Sequence, residues 1–244
     1  MIKFFRKIRQ NLLSENKFSK YLIYAIGEIV LVVIGILIAL SINNWNERQK
    51  DSVIELQLLK SLEKDLETNI SRIKSAIYTD SVVLSQNRVL LSLLEDEKSI
   101  LTDSIQKYFG RINRYGAFFP QKMTYETLKS KGLEIIKNDS IRNKIALLFD
   151  DTYSANDYKN ELNKEIYVNT NTLLNKRLKT TNIESFSSKV PNNFESLKSD
   201  KEFINNLSHI SAEKYNFLGM SKYHLQQTEM VRSNIIDEIK KLEE

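Results

Sequence analysis

Residues 21–42 read YLIYAIGEIVLVVIGILIALSI, an apolar run broken by one ionisable side chain, Glu28. No other stretch of the chain is so constrained by physics. At ~1.5 Å per residue a helix of this length spans ~33 Å, enough to cross a hydrocarbon core of ~30 Å. The run exceeds the apolar core of a cleavable signal peptide, and no small-x-small cleavage site follows it. It predicts a retained transmembrane helix over residues 21–42, with the lipid bilayer as one partner.

The flanks predict which way that helix points. Lys3, Arg6, Lys7, Arg9, Lys17 and Lys20 precede it, opposed only by Glu15, whereas Arg48, Lys50 and Lys60 are the basic residues over positions 43–60. The asymmetry places residues 1–20, a basic leader, in the cytoplasm and residues 43–244 outside it. Within the leader, Phe5, Ile8 and Leu12 fall at helical spacing among Lys and Arg. That pattern fits a short helix on an anionic leaflet, and equally a disordered basic tail. The formal charge of +5 is concentrated here, since residues 1–42 carry a net +4 and the rest of the chain only +1. A near-neutral external domain argues against nucleic acid as a partner. The sequence has no cysteine, which excludes disulfides, thiolate metal sites and Cys nucleophiles.

Residues 43–244 read as helical throughout. The predicted fold class is all-α: a single N-terminal transmembrane helix continuing into an extended extracytoplasmic antiparallel helical bundle. Gly110, Gly116, Gly132, Gly219, Pro120 and Pro191 are too few turn residues for an all-β domain of this size. Leu59, Leu62, Leu66, Ile70, Ile73 and Ile77 are spaced 3, 4, 4, 3 and 4 apart, like a coiled-coil seam. This predicts a stalk over 43–100, with Thr79-Asp80-Ser81 as the one candidate interruption. An aromatic turn region follows over 102–132: a short helix from Asp103 to Asn113, the loop RYGAFFPQ, and a helix from Thr124 that Gly132 terminates. Asn138-Asp139-Ser140 caps a long helix over 140–178, with Ile141, Ile145, Leu148, Leu162, Ile166 and Leu173 as its apolar stripe. A polar loop over 180–193 and a last helix over 200–243, capped by Ser199-Asp200, complete the chain. Three long segments then run out from the membrane, back and out again. The Pro191 loop would lie near the membrane, and the aromatic segment and C-terminus far from it.

Glu28 is the sharpest functional candidate, because an ionised carboxylate deep in hydrocarbon is expensive. At 100° per residue, Gly35 and Ala39 fall on the same helical line as Glu28, and small residues let another helix approach closely. Tyr24, one turn earlier, is placed to donate a hydrogen bond to the carboxyl. Three readings stand: a helix–helix contact with a second copy or a membrane partner protein, a proton-linked site, or a carboxyl satisfied by Tyr24 alone. A second candidate is an interaction patch of Tyr108, Phe109, Arg111, Arg114, Tyr115, Phe118 and Phe119, since aromatics and Arg dominate interface hot spots. The plainer reading has these aromatics, with Tyr125, plugging the open end of the bundle. His209 and His224 are ~22 Å apart along one helix and cannot share a metal. Asp150, Asp157 and Glu161 read as a solvated acidic stripe. No phosphate loop, nucleophile elbow or calcium-loop spacing occurs, so no catalytic, cofactor or metal residue is named.

The block IYAIGEIVLVVIGILIALSINNWNE, residues 23–47, resembles the start of a family of uncharacterised bacterial single-pass membrane proteins. There a Gly-Glu pair enters the span and an Asn-Asn-Trp-Asn-Glu run leaves it; here these are Gly27-Glu28 and Asn43 to Glu47. The stretch YETLKSKGLEIIKNDSIRNKI, residues 125–145, resembles that family's middle segment. The resemblance implies an inner-membrane location with a periplasmic C-terminal domain, and it carries no activity. Trp45 and its asparagine neighbours also suit an interfacial belt. The expected function is that of a non-enzymatic, membrane-anchored helical scaffold or accessory subunit. The alternative is a ligand-sensing external bundle that signals through a partner protein.

Overall fold

The computed structural model describes residues 18–182 and 189–244, with side chains for all of these except 18–21 and 24. The leader helix or tail expected before Phe18, and the hydrogen bond expected from Tyr24, lie outside that description. The chain packs as two units, Met1–Ile54 and Glu55–Glu244. The first long helix, α1 (Phe18–Glu95), contributes residues to both.

In the first unit no described side chain is buried. One stretch of α1 is long and apolar enough to cross a membrane. Burying each exposed Ile, Val or Leu of that stretch is worth ~1.5–3 kcal/mol, so the run favours an apolar surrounding.

The second unit is built on a seam in α1. Leu59, Leu62, Leu66, Asn69, Ile73, Ala76, Asp80, Val83, Asn87, Leu90 and Leu94 alternate in steps of three and four, and each is buried. The expected seam is therefore corrected at two positions. Asn69 and Ala76 are the buried residues, and Ile70 and Ile77 are only half-buried beside them. The interruption expected at Thr79-Asp80-Ser81 is absent, and Asp80 is a fully buried seam residue instead.

Chain reversal after Glu95 differs from the expected topology. The short helix α2 (Asp103–Phe109) ends before Gly110, and the segment from there to Lys137 runs the length of the unit. It contains α3 (Met123–Lys131), ended by Gly132 at φ 96°, and a single 3₁₀ turn, Leu133–Ile135. Seam polar groups hold its backbone. Asn87 Nδ2 donates to Ile112 O at 3.0 Å, Asp80 Oδ1 accepts from Gly116 N at 2.9 Å, and Asn69 both donates to Gln121 O and accepts from Gln121 N. Asp65 accepts from Thr124 N, and Glu55 Oε1 from Lys137 N at 2.7 Å. An irregular segment crossing a core must satisfy its peptide groups somewhere, and here the helix beside it supplies the partners. Gly116 is required for the approach, since a Cβ there would lie 2.2 Å from the Ala76 carbonyl oxygen.

α4 (Asp139–Leu147) starts at Asn138, whose side chain accepts from Ser140 N and Ile141 N. A π turn, Leu148–Thr152, joins it to α5 (Tyr153–Arg177). Where a polar loop was expected, β1 (Leu178–Thr180) pairs antiparallel with β2 (Lys189–Pro191), Leu178 opposite Pro191. α6 (Phe194–Lys198) and α7 (Lys201–Glu243) follow, the latter capped by Asp200 accepting from Phe203 N. Cross-helix pairs give the directions. Lys74 with Glu229, and Lys60 with Glu243, set α7 antiparallel to α1. Contacts of Lys137 with Glu55 and of Tyr153 with Asn69 set α4 and α5 parallel to it.

The end of α7 thus sits beside Lys60, and Lys198 donates to the carbonyls of Glu97 and Ser99 at the opposite end. This reverses the expected placement of the Pro191 segment and the C-terminus within the unit. The physical reason is the traverse between Ile112 and Lys137. Their α1 partners, Asn87 and Glu55, are ~48 Å apart along the helix axis, and a part-extended chain covers that in fewer residues than a helix does. One extra crossing flips the direction of everything downstream.

Candidate functional site

Two hydrophobic clusters form the second unit. One gathers Leu59, Leu62, Leu66, Phe118, Tyr125 and Ile145, and the other Leu90, Phe109, Ile112, Leu174 and Phe203. Between them the helices turn polar faces inward. α5 contributes Asn156, Lys159, Asn160 and Asn163, at helical positions i, i+3, i+4 and i+7; α7 contributes Lys214, Ser221 and His224; α1 contributes Asp80. Asn156 and Asn160 both donate to Phe118 O, at 2.8 and 2.7 Å. Lys214 Nζ donates to Asn163 Oδ1 at 3.0 Å, lies 3.3 Å from Asp80 Oδ1, and stands 5.2 Å from the centre of the Tyr115 ring. Lys159 Nζ donates to Ser221 Oγ at 2.9 Å.

Two lysines and one aspartate in a buried layer are out of balance, and burial works against the cations. It lowers the Lys214 pKa to about 8 despite the nearby Asp80, with Lys159 adding to the effect. Burial lowers Lys159 as well, partly offset by Asp80. His224 falls to about 4, through burial first and the charge of Lys159 second. Ser221 and Lys159 make the contact of a Ser–Lys nucleophile pair. Both are buried, at 2% and 0% exposure, so the pair lacks the access that acyl transfer to an outside substrate needs. Among the described residues no group of three His, Asp or Glu side chains is arranged to hold a metal. The layer was missed in sequence because the buried face of α5 was sought as an apolar stripe. Leu162 and Ile166 of that stripe are only half-buried, whereas the Asn-Lys-Asn-Asn face is buried. Helical spacing of polar residues was the available signal.

The residues singled out in sequence are distributed as follows. Gly35 and Ala39 are exposed on α1 and Glu28 is half-exposed; a methyl group added at Gly27 or Gly35 would touch nothing within 4 Å. The aromatic segment divides. Phe118 joins the first cluster, edge-on to Tyr153, and Phe109 the second, against Phe194 and Phe203. Tyr108 is half-buried beside Phe109's cluster, Tyr115 packs against Tyr167, and Phe119 is exposed. Arg111 is half-buried and Arg114 exposed. Asp150, Asp157 and Glu161 are exposed, as expected of a solvated stripe, with Asp150 also accepting from Tyr125 and Asp157 pairing with Lys122.

Fold and site together define a helical protein with one exposed apolar segment and a bundle whose middle is polar. The chain belongs to the Family of unknown function (DUF6090), which it matches over residues 28–215. No curated protein and no solved structure matches it.

Proposed function

We propose that the protein is a membrane-anchored helical scaffold or accessory subunit that acts by association rather than by catalysis. Residues 21–42 cross the bacterial inner membrane, the N-terminus is cytoplasmic and the bundle periplasmic. The observation that carries this reading is the exposed apolar stretch of α1, in which Gly35 and Ala39 are exposed on the line of Glu28. Close approach at small residues, reinforced by polar side chains, is how membrane helices associate. The helix then contacts a second copy or a membrane partner protein. The basic flank before Tyr21 supports the orientation. The bundle's polar side chains are engaged in holding the backbone of residues 112–137, which suits a structural body.

Cross-linking from positions 28 and 35 in native membranes tests the contact. A specific product, with itself or one other protein, is expected; none from either position would sink the reading. Glu28→Gln separates packing from titration, since retained association and function remove any proton role. A C-terminal alkaline phosphatase fusion should be active, and an inactive one would reverse the orientation. The ligand-sensing alternative has less to rest on, because Phe109 and Phe118 serve two separate hydrophobic clusters rather than one mouth.

A further inference from the structure

The outer surface between α4, the π turn and α7 holds a groove of about 140 Å³. Lys144, Leu147 and Asp151 line one side, and Tyr223, Gln227 and Met230 the other. Leu147, Tyr223 and Met230 are 63%, 54% and 43% exposed, which is a large apolar outlay for one place on a soluble surface. The groove coincides with the π turn, Leu148–Thr152. Such insertions cost helix regularity and recur where a helix face has a task.

The charges around it say what fits. Lys144 stands one turn before Leu147 and Asp151 one turn after it, all three on the groove. A two-fold axis passing beside Leu147 therefore sets Lys144 against Asp151 of the partner subunit, and the reverse, with the leucines between them. An acidic or a basic foreign segment would match one end of this spot and be repelled at the other. A second copy matches both, as an isologous contact requires. Among the described residues Asp151 has no ion-pair partner of its own, and Lys144 is engaged only with the neutral Asn234, at 2.9 Å. We infer that this groove is a self-association surface, closed by a second copy of the chain in antiparallel register about Leu147.

The surface belongs to the second unit and is independent of the contact proposed for the membrane segment. The cysteine-free sequence makes the test direct. Full-length Leu147→Cys protein in native membranes, treated with a copper–phenanthroline oxidant, should give a disulfide-linked homodimer. Adding Lys144→Glu or Asp151→Lys alone should lower its yield at least five-fold, because like charges then face each other. The two together should restore it to within two-fold. Lys144→Gln and Asp151→Asn, which remove charge without reversing it, should fall between, and helical circular dichroism should be unchanged throughout. No dimer, a yield indifferent to the single reversals, or no rescue by the double one overturns the inference. A product with another protein likewise overturns it in favour of a foreign partner. Gly35→Cys in parallel reads the span contact, so either can fail without the other.

Discussion

Lys214 offers the sharpest quantitative test of the polar layer. The residue is 3% exposed, and its ammonium holds Asp80 on α1 together with Asn163 on α5. Lys214→Met keeps the volume and removes the charge. Asp80 then retains its bond from Gly116 but loses the cation beside it, and breaking a buried pair from one side costs ~3–5 kcal/mol. Asp80→Leu should cost at least as much, because it leaves two buried lysines without an anion and orphans the Gly116 N–H. If the two groups act as a pair, the double variant loses far less than the sum, with a coupling of ~2–3 kcal/mol. The same lysine gives a pH signature. In the unfolded chain it keeps its proton to about 10.5, and in the folded chain it releases it near 8. Between those values the unfolded state binds more protons, so stability rises with pH, by up to ~3 kcal/mol for this group alone. Lys159 works in the same direction. The assay is urea unfolding of the full chain in detergent, followed by circular dichroism between pH 7 and 10, in the wild type and Lys214→Met. Additive single losses, or a wild-type stability that is flat or falling from pH 8 to 10, would refute the account.

Other outcomes follow from the same contacts. His224 is held near 4 against an ordinary 6.5, so the wild type should lose stability as pH falls through that interval, by up to ~3 kcal/mol. His224→Gln should flatten the acid limb of the profile. Gly116→Ala should cost more than ~3 kcal/mol, since its Cβ meets the Ala76 backbone and nothing flexible can give way; a melting temperature within a few degrees of wild type would contradict this. Asn138→Ala removes a helix cap worth ~1 kcal/mol and a bond to Glu238, and the change should appear as faster amide exchange at Ser140 and Ile141. Asn69→Leu should cost ~2–3 kcal/mol although it adds apolar volume, because Gln121 loses both of its backbone partners; a stabilised variant would disprove that role.

What could be read from the residues alone was whatever followed from apolar period, length and capping chemistry. The apolar run, the caps at Asn138 and Asp200, the stop at Gly132 and most of the seam at Leu59, Leu62, Leu66 and Ile73 are of this kind. The errors share a cause. Asn69, Asp80 and Asn87 are turn-forming types by local propensity, so a reading by local propensity treats them as loops or surface. They sit at buried seam positions because a distant segment, residues 112–137, brings peptide groups that need them. That requirement is non-local and leaves no mark within α1 itself. The face Asn156-Lys159-Asn160-Asn163 was invisible for the same reason. On the exposed apolar stretch of α1, the shared line of Glu28, Gly35 and Ala39 is pure helix geometry and needs no structure to draw.

The polar residues of the α1 seam also act on a problem that the apolar ones create. A repeat of leucines in steps of three and four looks nearly the same after a shift of one heptad, ~10 Å along the axis. A seam of Leu and Ile alone would let α1 ratchet past its neighbours at little cost. Here such a slip would carry Ile73 to the site of Asp80, taking the carboxylate from Lys214 and the acceptor from the Gly116 N–H, and would move Asn69 away from Gln121. Leaving a buried polar group short of a partner costs ~1–3 kcal/mol. Within the second unit α1 is therefore held at one register, and a pull along its axis meets these polar contacts instead of being absorbed as slippage.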